Sequence, residues 1–133
     1  MSADFGVYFL SDSQPDVDDW IEACSELGYQ IKIDDVDLDN HAGPIGAEMA
    51  YDGVQGFMFE ITDDWGGMED VYPGEDALFA WFQATRSDWE LSAKAALGFA
   101  RAANGVFSDP LGNTYPNLDE AIKYVEEDLA RTR

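Results

Sequence analysis

Basic residues are what this chain has least of: seven lysines and arginines stand against 28 aspartates and glutamates, a formal net charge of −21 over 133 residues. A surface of that sign repels nucleic-acid phosphates and anionic membranes and speeds encounter with basic partners. Cysteine and histidine occur once each, as Cys24 and His41. A single cysteine forms no internal disulfide, and one Cys with one His cannot close a zinc site. His41 lies beside Gly43-Pro44 with no serine elbow elsewhere, so a catalytic triad lacks its parts. Phosphate loops and dinucleotide fingerprints are absent too. No apolar run approaches the roughly 20 residues that span a bilayer, and no basic segment leads into an apolar one at the N-terminus. A soluble, cytoplasmic protein is expected.

Hydrophobic residues at 46% and aromatics at 14% argue for a folded core despite the charge. The length suits one globular domain over residues 1–133. The sharpest folding signals lie between Ala77 and Asp109. Ala77 to Phe82 has no polar residue, which predicts a central strand covered on both faces. Ser87 with Glu90 predicts a capping box and a helix starting near Asp88. Trp89, Ala93, Ala96, Ala100 and Ala103 share one face of that helix, with Leu91, Ala95 and Phe99 widening it. Gly105 offers a left-handed end, and Val106-Phe107-Ser108 reads as a following strand.

Earlier in the chain, Phe5 to Leu10 has strand length. Val17, Trp20, Ile21, Cys24 and Leu27 repeat at helical spacing up to Gly28, with Asp16, Asp18, Asp19 and Glu22 crowding its first turns, where the helix dipole favours negative charge. Cys24 thus reads as an inert core thiol. Tyr29 to Ile33 alternates as a half-buried strand. Val36 and Leu38 continue the alternation after a slip at Asp34-Asp35, placing Asp35, Asp37 and Asp39 on a wet edge. Asn40 to Gly46 reads as loop. Ala47 to Tyr51 and Val54 to Ile61 flank Asp52-Gly53, a hairpin signal, with Gly56 a candidate bulge. Thr62 to Glu75 reads as an exposed acidic loop, 109–113 as a turn, and Asn117 with Glu120 as the cap of a last helix striped by Leu118, Ile122, Val125 and Leu129. The sum is β-α-β-β-β-β-α-β-α, an α+β fold with one antiparallel or mixed sheet and two to three helices packed on it.

Asp35, Asp37 and Asp39 match the first ligands of a calcium loop, but the sharp-turn glycine position is Asn40 and the bidentate glutamate position is Gly46. No metal or other cofactor is therefore expected. Paired carboxylates serve acid/base catalysis only inside a cleft, for which so short a chain leaves little room, and no enzymatic activity is expected. The charge is uneven: residues 1–80 hold 20 carboxylates and one cation, Lys32, whereas 81–133 hold eight carboxylates and six cations. Salt adaptation would spread the excess over every exposed face. A surface aimed at a basic protein would concentrate it, and Asp63, Asp64, Trp65, Met68, Glu69 and Asp70 set two apolar anchors inside a ring of carboxylates.

The late alanine-rich helix running into Asn104-Gly105-Val106-Phe107-Ser108-Asp109-Pro110, then a polar turn and an amphipathic helix, resembles the small acidic bacterial immunity proteins over residues 77–131. The resemblance implies a stoichiometric inhibitor of a toxin, with no chemistry of its own, and carries over no binding residue. The expectation is an immunity-type inhibitor contacting a basic toxin or effector, itself handling nucleic acid or nucleotides, through Asp35, Asp37, Asp39 and the 63–70 loop. The alternatives are a DNA mimic that occupies a nucleic-acid-binding protein, a salt-adapted structural or ligand-binding domain, and a small carboxylate enzyme. Whether the protein is a monomer or a dimer is open at this level.

Overall fold

A computed structural model describes residues 2–39, 41–49, 53–85 and 89–132. Its strands are β1 (Ser2–Leu10), β2 (Ile31–Ile33), β3 (Ala42–Met49), β4 (Gly53–Thr62), β5 (Ala77–Thr85), β6 (Val106–Ser108) and β7 (Thr114–Tyr115). Its helices are α1 (Val17–Glu26), α2 (Met68–Val71), α3 (Trp89–Ala103) and α4 (Leu118–Thr132). The strands form one seven-stranded sheet in the order β2-β3-β4-β5-β1-β6-β7, with every pairing antiparallel. The expected α+β architecture is therefore observed, and the antiparallel option holds.

Period-two alternation divides each strand between two faces. Phe5, Val7 and Phe9 of β1, Phe57 and Phe59 of β4, and Ala80 and Phe82 of β5 are buried beneath the helices. Trp20 of α1 is the centre of this layer. Its ring lies 5.2 Å from Phe59, 5.7 Å from Phe82 and 5.3 Å from Phe99, and its Nε1–H donates to the Ala95 carbonyl at 2.8 Å. That bond lets a large indole be fully buried without leaving a polar atom unpaired. Helix α3 lies across the middle of the sheet, α1 against α3 and β2, and α4 against α3, β6 and β7. A Cβ built on Gly98 would sit 2.2 Å from Cys24 Sγ, so the glycine sets how closely α1 approaches α3.

Among the described residues, the other face carries no long helix. In register across it stand Pro44, Met58, Gln83 and Asp4. The next row is Ala42, Glu60, Trp81 and Gly6, and the third is Thr62, Phe79, Tyr8 and Val106. The expectation that β5 is central is correct, since it lies between β4 and β1. Full cover on both faces is not: another segment, described below, lies over the third row and, through the Phe79 ring, over Gly6, while Trp81 and Met58 stay partly exposed.

Several boundaries differ from expectation. Helix α1 is capped by Asp16, whose side chain accepts from the Asp19 amide, and ends with Gly28 at φ +87°, as its sequence indicates. Pairing of β2 stops at Ile33, and 34–39 is loop, not strand: Asp34 N–H makes a last bond to Gly46 O, and Leu38 then turns inward. Residues 42–46, expected as loop, belong to β3 because the β4 partner extends their pairing to Ala42 opposite Glu60. The β3–β4 register runs through Gly56 without a bulge; Gly56 faces Gly46, and a Cβ there would meet Ile45 O at 2.6 Å. Asp52 of the hairpin turn and Ser87 of the capping box lie outside the described residues, although Glu90 and Lys94 pair at 2.6 Å. The left-handed residue ending α3 is Asn104, at φ 52°. Gly105 is needed instead for close approach, since a Cβ there would stand 2.5 Å from the Tyr8 carbonyl oxygen. Helix α4 starts after Asn117, whose Oδ1 accepts from Asp119 N–H at 2.9 Å.

Candidate functional site

Three loops meet at one end of the sheet because antiparallel pairing sets Leu10 opposite Ala77, so the chain leaving β1 and the chain entering β5 are neighbours. Ser11 N–H donates to Asp76 O at 2.9 Å, and Ser11 Oγ–H to Asp76 Oδ2 at 2.8 Å. Three residues on, Gln14 Nε2–H donates to Asp39 Oδ1. The turn 11–14 thereby joins the 34–39 loop on one side to the 63–76 segment on the other.

The 63–76 segment is tied down from below. Trp65 stacks on Phe79, with centroids 4.4 Å apart and planes 8° from parallel. The Tyr8 hydroxyl donates to Gly66 O at 2.9 Å, and its ring lies 4.7 Å from Phe79. Gly67, at φ +90°, turns the chain into the single turn of α2. Gly6 makes room for this arrangement: a Cβ on it would lie 1.9 Å from the Phe79 ring. Burial is the main cause that pushes the Tyr8 hydroxyl above its ordinary range, so it remains a donor at neutral pH. Trp65 is therefore both a lid and a surface, with one ring face on Phe79 and 40% of the residue exposed. Beside it, Met68 and Tyr72 are half-buried. Together with Asp63, Asp64, Glu69, Asp70 and Glu75 they line an open recess of about 490 Å³.

The 34–39 loop is anchored by Leu38 and by an Asx turn in which Asp37 Oδ1 accepts from Asp39 N–H at 3.1 Å. Asp37 and Asp39 face Asp16 and Asp19, at the start of α1, across a second recess of about 360 Å³. Asp35 is exposed on the same loop. Asp35, Asp37 and Asp39 therefore do not form the wet row of an edge strand. They share an end of the molecule with the 63–70 residues, which sequence separation does not reveal.

Residues 11–19, 34–39 and 62–76 hold fourteen aspartates and glutamates and no lysine or arginine. All fourteen are exposed. Lys32, Lys94, Arg101 and Arg131 are engaged with Glu48, Glu90, Glu26 and Asp128, none of which belongs to this set. Like charges gathered at one end give a field that reaches about 10 Å into solvent at 0.1 M salt. The bridging residues Ser11 and Gln14, and the further carboxylates Asp12 and Asp76, have no motif of their own, while Asp16 and Asp19 carry the signal of a helix N-terminus and none of a site. Only the tertiary structure places them here.

Other reactive groups stand apart from this end or are engaged. Cys24 is buried, and burial pushes its thiol up to about 12. His41 Nε2–H donates to the Pro44 carbonyl at 3.0 Å. No group of three or more metal-ligating side chains is assembled among the described residues, and no described helix is long and apolar enough to cross a membrane. Compared with protein-family models, curated proteins and solved structures, the chain matches none.

Proposed function

We propose that this chain is an inhibitor of the immunity type, acting in the cytoplasm by binding a basic toxin or effector through its acidic end. The observation that carries the reading is the union of three loops into one surface of fourteen exposed carboxylates without a cation, with Trp65 and Met68 set among them. Long-range attraction speeds association with a basic cleft, and the aromatic and thioether side chains supply contact area that carboxylates alone lack. A toxin that handles nucleic acid or nucleotides has such a cleft, because its own substrate is anionic.

Co-purification of the tagged full chain from its source cells, followed by mass spectrometry, identifies the partner. The decisive measurement is the association rate of that partner with a quadruple reversal, Asp63→Lys, Asp64→Lys, Glu69→Lys and Asp70→Lys, whose folding is verified by its melt. A loss of at least tenfold, together with a flatter salt dependence, is expected. Unchanged binding with the original salt dependence would remove the 63–70 segment from the interface.

A further inference from the structure

We infer that the helix-free face of the sheet is the platform on which the basic partner seats an apolar segment, with the acidic end steering it into place. This rests on the inhibitor reading above and assigns a surface that the loop residues do not include. The three long helices lie on the opposite face, and the 63–76 segment covers the row containing Phe79 and Tyr8 and, through the Phe79 ring, Gly6. Beyond that cover Met58 is 36% exposed and Trp81 is half-buried, and Trp65 stands at the boundary. Trp81 is the middle residue of β5, within its apolar run Ala77 to Phe82, and a tryptophan left partly in water at the centre of a sheet has the chemistry of an interface anchor.

The charges around these residues select the occupant. Asp4 stands in the Met58 row and Glu60 beside Trp81, and both are exposed. A second copy of the chain would bring Asp4, Glu60 and the acidic end against the same groups, with Lys32 the one cation in residues 1–80 to offset them. Nucleic acid and anionic lipid are repelled by the same rim. A protein segment with arginines on either side of leucine or phenylalanine satisfies both the centre and the rim, its guanidiniums pairing with carboxylates and stacking on the exposed indole.

Two synthetic peptides test this on the full chain. Both carry four arginines; one places leucine and phenylalanine between them, the other serine at those positions. Binding is read in dilute buffer by calorimetry and by NMR shifts of the Met58 methyl and the Trp81 indole. The apolar peptide is expected to bind at least tenfold more tightly and to shift both signals, and Met58→Gln with Trp81→Gln to abolish its advantage. If the double variant fails to melt cooperatively, Met58→Gln alone decides, with at least a threefold loss expected. Equal binding of the two peptides, with shifts confined to the 11–19, 34–39 and 62–76 loops, would overturn the platform and leave the acidic-end reading standing. Failure of both peptides to bind would sink both. A dimer in sedimentation that Met58→Gln dissociates would replace the basic partner with a second copy.

Discussion

Trp65 illustrates how one side chain serves two ends. Its stack on Phe79 closes the third row of the open sheet face, and its outer surface lies in the acidic recess. Trp65→Ala removes an aromatic pair worth about 0.5–1.5 kcal/mol beyond its buried area, so denaturant unfolding should show a loss of about 1–2 kcal/mol with the fold retained. Gly6 is the complementary case, a residue defined by the ring that lies over it. Gly6→Ala forces Phe79 aside and should cost about 1–3 kcal/mol on the same measurement. Asp109 is buried in the turn between β6 and β7. Its carboxylate accepts from Leu111 N–H and Asn113 N–H at 2.9 Å, from Asn113 Nδ2–H at 3.1 Å and from the Tyr115 hydroxyl at 2.8 Å, which closes the turn into β7. Asp109→Ala orphans these donors and should cost at least about 2 kcal/mol.

Helix α3 is the element on which the others converge. Ten of its residues, from Leu91 to Ala103, are buried, and five of them are alanines, which let α1 and the sheet come close. Ala96 is fully buried, so Ala96→Asp places a carboxylate with no partner in the core and should abolish the cooperative melt altogether. A folded Ala96→Asp variant would mean that α3 is not the platform described. At the sheet's edge, β2 shows the limit of pattern reading: Val36 and Leu38 keep an alternating rhythm, yet Leu38 is buried from within a loop. Alternation records which residues face the core, and a loop that hugs the core produces it as readily as a strand.

At the scale of the whole molecule, fourteen like charges at one end repel one another, and salt relieves that repulsion. The melting temperature should rise by a few degrees between dilute buffer and 0.5 M sodium chloride. Salt adaptation predicts more, namely no cooperative melt in dilute buffer; a cooperative one would speak against it. High pH acts through different groups. Tyr29 is pushed up to about 12 by burial first, then by Glu126, and Tyr124 to about 12 by burial, then Asp109. The folded chain thus keeps protons that the unfolded chain, with tyrosines near 10.0, releases. The stability these groups contribute is complete below pH 10 and is lost as pH rises toward 12. A pH series of denaturant midpoints should fall across that window.

By itself the sequence determined the kind of fold and most of its parts. The apolar run of β5, the period of α1 and α4, the alanine face of α3, the acidic first turn of α1 and the Asn117 cap are local patterns of burial and hydrogen bonding, legible wherever neighbours in the chain carry the signal. Concentration of charge in the first 80 residues was equally visible. What only the tertiary structure decided is which carboxylates stand together and what lies beside them. Ser11 meets Asp76 because Leu10 pairs with Ala77 across two strands, and Gln14 meets Asp39 because the 34–39 loop lies against the turn after β1, neither of which a local pattern encodes. Trp65 finds Phe79 and Trp81 is left half-covered for the same reason: burial of a side chain on a sheet depends on what another, distant segment brings over it.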